Sequence, residues 1–225
     1  METVASARKN QKEILTVPSR PAPTAIPNEV RRQRSTSVIL DVAEQLFVES
    51  GYAATSVDRV AAAAGLTKGA VYFYFSSKEG LLDALITRAE QTTFAPPMAI
   101  LDEREAPALD RIARFFNFQG ASIGRARRYL VVLTVSLQRD AAPPGARRRA
   151  DALFATVRER IAGVIAEGQA DGTIAAHLQP REAAALVQSM IEGMLLQWLR
   201  RSGGLDGGEF LRTGRRVLLA GLLAR

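Results

Sequence analysis

Thr67, Lys68, Tyr72 and Lys78 stand close together in the stretch TSVDRVAAAAGLTKGAVYFYFSSK, residues 55–78. Their hydroxyl and ammonium groups are donors of the kind that hold phosphate oxygens. Gly69 and Ala70 add almost no bulk between them, so a helix backbone carrying these residues can approach a nucleic-acid groove closely. Phe73 and Tyr74 add aromatic surface to the same short segment. Thr55 and Ser56 open a preceding helix, where they cap it and where free N–H groups favour an anion. Lys78 opens a following helix, a position slightly unfavourable for a cation, and a phosphate contact accounts for it. This chemistry is binding rather than catalysis. No nucleophile–base pair, metal set or phosphate loop is legible, the chain has no Cys, and its one His, His177, reads as a loop residue. Neither a metal nor a cofactor is expected, and an enzyme is the least favoured class.

The elements that position these residues follow from local pattern. Val57, Val60, Ala61 and Ala64 give one short helix a buried face, and Gly65 ends it in the left-handed backbone region. Leu66 plugs the corner, Thr67 caps a second helix over Lys68 to Phe75, and Val71 and Phe75 point inward four residues apart. Ser76 or Ser77 caps the next helix at Lys78. A longer helix from about Ser37 to Ser50 supports the pair with the stripe Ile39, Val42, Ala43, Leu46 and Phe47, and Gly51 ends it. The arrangement suits a DNA-reading helix-turn-helix. A helical hairpin whose aromatics pack into a core has the same spacing.

From about Ile39 to Ile86 the chain resembles the DNA-binding domain of the TetR family of bacterial transcriptional regulators. The matching run is ILDVAEQLFVESGYAATSVDRVAAAAGLTKGAVYFYFSSKEGLL, and its most specific parts are LF..SGY..TSV, VA..AGLTKGAVY.YF and SKEGLL. Thr36 departs from the pattern, since many members carry a basic residue there; Arg34 stands nearby. The resemblance implies an all-α protein: an N-terminal three-helix helix-turn-helix DNA-binding domain and a C-terminal helical ligand-binding and dimerisation domain. It also implies a regulator, most simply a repressor released from operator DNA by a small molecule. The rival class is a dimeric helical small-molecule carrier or protein-interaction module, and the outward Lys68, Tyr72 and Lys78 argue against it.

Charge does not locate the DNA site. The chain of 225 residues has a net charge of +7. The proposed reading segment, residues 35–90, holds four Lys or Arg against seven acids, so the excess lies outside it. That excess favours non-specific attraction to DNA. Pro18, Pro21, Pro23 and Pro27 favour an extended chain, so residues 1–34 read as a flexible arm, residues 35–80 as the DNA-binding domain and residues 81–225 as the effector and dimerisation domain. Arg31, Arg32 and Arg34 end the arm beside the first helix. No apolar run is long enough to span a membrane and no signal-peptide core is present, so a cytoplasmic setting is expected.

The C-terminal part reads as helices throughout. One runs from Lys78 to about Phe94 and is stopped by Pro96-Pro97; others cover about 106–124, 128–139 and 146–171. Arg147, Arg148 and Arg149 read as a solvated helix start. The last two helices, from Pro180 and from about Gly208, are apolar on much of their circumference, which suits pairing with symmetry mates in a homodimer; the resemblance assigns them the same role. The effector pocket that the resemblance implies is sought among Phe94, Met98, Phe115, Phe118, Leu133, Leu137, Met190, Met194 and Trp198. Their Met and aromatic side chains suit an apolar or planar ligand.

Overall fold

The computed structural model describes residues 28–120, 123–137, 142–200 and 206–224, so residues 1–27 of the expected arm lie outside the described residues. Helix α1 spans Asn28–Ala54, earlier than the expected start at Ser37. Residues 28–34, assigned to the arm, are therefore its first turns, and no Pro or Gly interrupts the sequence between Asn28 and Ser50. At Gly51 the backbone leaves the helix at φ 80°, ψ 161°. Helix α2 spans Val57–Ala63, with Ser56 Oγ accepting from the Arg59 N–H at 3.1 Å. Gly65 makes the corner at φ +66°, and Thr67 Oγ1 accepts from the Ala70 N–H at 3.2 Å to start α3, Lys68–Phe75. Val71 and Phe75 are buried with Ile39, Phe47, Val60 and Leu81.

Helix α4 spans Lys78–Ala89, capped by Ser77. It does not end where Pro96-Pro97 predict. A single π turn, Glu90–Phe94, carries it into α5, Ala95–Leu101, whose first turn holds both prolines. Proline is tolerated there because the first helical N–H groups have no intrahelical partner. Thr93 and Phe94 are both fully buried.

The rest of the chain forms a helical body from α6 Ala108–Gly120, α7 Ile123–Leu137, α8 Pro144–Ala170, α9 Pro180–Leu199 and α10 Gly207–Leu222. No strand element occurs among the described residues, in agreement with the all-α expectation. Phe115, Phe116, Ile112, Ile161 and Ile165 fill its centre. Gly168 lets α8 lie against Ala108 and Ile174: a Cβ there would stand 2.9 Å from the Ala108 Cβ and 2.6 Å from Ile174 Cδ1. Buried Arg111 donates from Nε to the Leu101 carbonyl at 2.9 Å and pairs with Glu167, tying the end of α5 to α6 and α8.

Charged contacts join the first four helices to this body. Glu44, on the buried face of α1, is only 3% exposed. Arg128 of α7 reaches its carboxylate at 3.3 Å, and Arg88 of α4 stands 4.0 Å from it while pairing with Asp41 at 2.6 Å. Arg149 of α8 donates to Glu90 at 2.7 Å and to the Thr87 hydroxyl at 3.0 Å. It is a bridge to α4 and the π turn, not the solvated residue that the sequence pattern predicts.

Burial raises the Glu44 carboxyl above its ordinary value of 4.5, and Arg128 and Arg88 only partly counter it. A raised folded-state value favours the native state below about pH 4.5, and that contribution is lost as the pH rises through the raised value. Urea unfolding between about pH 4 and about pH 7 should therefore show wild type losing stability relative to Glu44→Gln as the pH increases. A constant difference between the two would refute the burial of an ionising Glu44.

Candidate functional site

The face of α3 turned away from the core carries the chemistry. Phe73 is 79% exposed and Tyr72 41%, and Lys68 and Gly69 are exposed beside them. A Cβ at Gly69 would meet nothing nearer than Thr67 Oγ1 at 3.9 Å, so this face is open. Ala70 is half-buried at its edge. Thr67 and Ser56 are exposed caps whose hydroxyl oxygens accept backbone N–H bonds. Their O–H groups are left able to donate outward to an acceptor such as a phosphate oxygen.

One expected contact is corrected, and another is half-buried. Thr55 is 1% exposed, and its single hydroxyl proton lies between the carbonyls of Gly51 at 2.9 Å and Leu46 at 3.2 Å. It closes the break at Gly51 and has no access to a ligand. Tyr74 turns toward α1, where it lines a groove with Arg32, Gln33, Thr36 and Leu40. Its ring is half-buried there and packs edge-on against Phe73, the ring centroids 5.2 Å apart.

The two lysines are placed differently from each other. Lys68 is exposed and pairs with Asp58 of α2 at 2.8 Å, which raises its pKa. Lys78 donates to the Ala53 carbonyl at 3.2 Å and stands 4.2 Å from the centre of the Tyr52 ring; partial burial lowers its pKa. The Ala53 carbonyl and the Tyr52 ring face account for a cation at the start of α4 without any ligand.

The residues considered for an effector pocket do not form one set. Phe94 and Phe115 are fully buried, while Met98, Phe118, Leu133, Met190 and Met194 are half-buried. Leu137 is 71% exposed at the end of α7 and is not part of an enclosed wall. Trp198 is 46% exposed and lies against Gly207, where a Cβ would come within 2.5 Å of its ring. Met194 packs on Gly214 of α10. The ring of Phe94 stacks on Tyr129 at 5.4 Å, and Phe154 meets both rings edge-on. The Tyr129 hydroxyl donates to Glu192 at 3.0 Å, and burial drives its pKa far upward. Tyr129, Phe154, Gln188 and Glu192 are absent from the sequence-derived set. The available signal is the pair Gln188 and Glu192, four residues apart in the mostly apolar middle of the helix.

Comparison with known proteins agrees with this geometry. The profile described as "Bacterial regulatory proteins, tetR family" matches residues 39–85, and "BetI-type transcriptional repressor, C-terminal" matches residues 110–223. The chain is 27% identical to the HTH-type transcriptional repressor BepR of Brucella suis, over 80% of this chain and 86% of that protein. The crystal structure of the MbdR regulator from Azoarcus sp. CIB superposes with a TM-score of 0.76 at 31% identity, covering 84% of this chain and all of that one. The ketosteroid transcriptional regulator KstR2 of Mycobacterium tuberculosis shares the fold, with a TM-score of 0.70 at 21% identity, covering 87% of this chain and 96% of that one.

The burial of Thr55 separates structure from contact. Thr55→Val should lower stability by about 1–2 kcal/mol, because the hydroxyl no longer reaches the two carbonyls. The salt dependence of DNA binding by the folded variant should be unchanged. A shallower slope would return Thr55 to the phosphate contacts.

Proposed function

Because the chain belongs to the TetR family of bacterial regulatory proteins, we propose that it works as a cytoplasmic, homodimeric repressor released from a palindromic operator by a small, largely apolar or aromatic effector. It is a DNA-binding transcriptional regulator, not an enzyme. The observation that carries the reading is the outward face of α3. A ring as apolar as Phe73 left 79% in water beside Lys68, Gly69 and Tyr72 has no structural use in a hairpin that only packs. It is suited to base edges and thymine methyl groups in a major groove. Repression as the sign of regulation is supported by the names of the relatives.

In this reading residues 35–80 are the DNA-binding domain, with the first turns of α1 preceding it, and residues 81–225 hold the effector and the dimer interface. Ser56, Thr67, Lys68, Gly69, Ala70, Tyr72 and Phe73 form the DNA contact, and Lys78 supports it by tying the start of α4 to the Ala53 carbonyl. Leu186 and Leu196 of α9 and Val217 of α10 leave apolar surface in water, which supports pairing through these helices. No described helix is long and apolar enough to cross a membrane.

Release runs through α4. Its start abuts α3, and its far end meets the body through Glu44, Arg88, Arg128 and Arg149. An effector that shifts the body tilts α4 and changes the separation of the two α3 helices in the dimer. A coupling of about 1–3 kcal/mol is typical of such linkage.

Footprinting of the purified protein on DNA selected from random sequence should show two related half-sites about 34–36 Å apart, or a multiple of that distance. Protection of one asymmetric site would overturn the dimer reading. Asp58→Asn removes the acid that holds Lys68. Operator affinity should rise and the salt slope steepen by about one unit per half-site. An unchanged slope would take Lys68 out of the interface.

A further inference from the structure

Inside the body, a buried amide carbonyl beside one aromatic cluster has no hydrogen-bond partner among the described residues. Gln188 is 6% exposed, and its Oε1 accepts no bond. Its Nε2 donates to Glu192 Oε1 at 3.2 Å, and the Tyr129 hydroxyl donates to the same oxygen at 3.0 Å. The amide is oriented by the carboxylate, so its carbonyl is the end left over. Thr93 is fully buried in the π turn, its Oγ1 also unpartnered, and it directly precedes Phe94, whose ring stacks on Tyr129. Phe154 closes the cluster edge-on. Buried polar groups are almost always paired, and an unpaired one lowers stability. A π turn in a helix frequently marks a functional position.

The chemistry of these groups selects a ligand. Gln188 Oε1 and the Glu192 carboxylate are acceptors, and the Tyr129 proton is already committed. A molecule that completes the cluster must bring N–H donors, and a positive charge answers the carboxylate. Aromatic rings at the same place favour a cation and an apolar skeleton. Glu192 is only half-buried, so its carboxylate is open to approach from outside the cluster.

We propose that Gln188 and Glu192, backed by Phe94, Tyr129 and Phe154, are the subsite for a protonated primary or secondary amine carried on an apolar or aromatic skeleton. This rests on the reading of the body as an effector-binding domain and names the class of effector. A neutral molecule gives up the ion pair, and a quaternary ammonium has no N–H for the Gln188 carbonyl.

The test uses the full-length protein and ω-phenylalkylamines of two to six methylenes, against the alcohols and trimethylammonium compounds of equal chain length. By calorimetry the best amine should bind about tenfold or more tightly than either counterpart. Gln188→Leu and Glu192→Gln should each erase that preference. The free Gln188→Leu protein should melt about 2–4 °C above wild type, because it no longer buries an unpaired carbonyl. Glu192→Gln keeps the test decisive where the leucine variant does not fold. Equal binding of the alcohol, no binding by any amine of the series, or an intact preference in the Glu192→Gln protein would overturn the subsite. An operator gel shift separates the two readings. Selective amine binding that leaves the operator complex intact refutes release while the subsite stands. Release by an alcohol with no amine preference refutes the subsite while release stands.

Discussion

A carboxylate taken out of water has to be answered by positive charge, and Glu44 draws that charge from two other helices. Arg88 comes from α4 and Arg128 from α7, and neither is in ideal contact, at 4.0 and 3.3 Å. Arg88 also spends its shorter bond on Asp41, and its Nη1 is buried without a hydrogen-bond partner. The junction between the DNA-reading helices and the body is therefore polar and imperfectly satisfied, not a fully apolar seam. Such a contact fixes direction, because displacing any one helix leaves charge unanswered in a low-dielectric setting. It has little surplus to resist a competing arrangement. Arg149 repeats the pattern one layer away, on Glu90 and Thr87. The orientation of α4, and with it α3, depends on these side chains.

Much of the reading unit was legible in the sequence because its determinants are local. Gly65 supplies the corner, Thr67 and Ser77 supply caps, and Val71 with Phe75 fixes which face of α3 is inward. Each acts within a few residues, so spacing alone reveals it. What spacing hides is tertiary. A threonine that caps a helix and one that buries its hydroxyl under a chain break look alike, which is why Thr55 reads as exposed. Tyr74 lies between two faces, and only the path of α1 decides where it goes. Lys78 invites a ligand explanation until the Ala53 carbonyl is seen beside it. Pro96-Pro97 read as a stop, yet they begin a new helix after a π turn that no hydrophobic period announces. The start of α1 at Asn28 was readable from the absence of breakers, but the preceding prolines outweighed it.

Helix α9 shows why the body is harder to read than the first four helices. It presents Gln188 and Glu192 toward Tyr129 and leaves Leu186 and Leu196 in water. A helix apolar on nearly every side has no single face for a periodicity argument to find. Gln188 and Glu192 are then the informative residues, since their mutual bond leaves the rest of their bonding capacity to groups outside the helix. The same helix thus serves an internal polar cluster and an outer apolar surface. A change at one is transmitted to the other through a single rigid rod, without an intervening loop.

The pairing of Lys68 with Asp58 bears on time as well as strength. A regulator meets vastly more irrelevant DNA than operator, and its pace is governed by how long each wrong encounter lasts. A reading segment with more acids than bases, and an exposed lysine already engaged, dwells briefly on any phosphate chain. Only where the bases also fit does the lysine gain by changing partners. An acid on α2 holding the exposed lysine of α3 would be called a defect by affinity alone; for a molecule that has to search, it shortens every mistake.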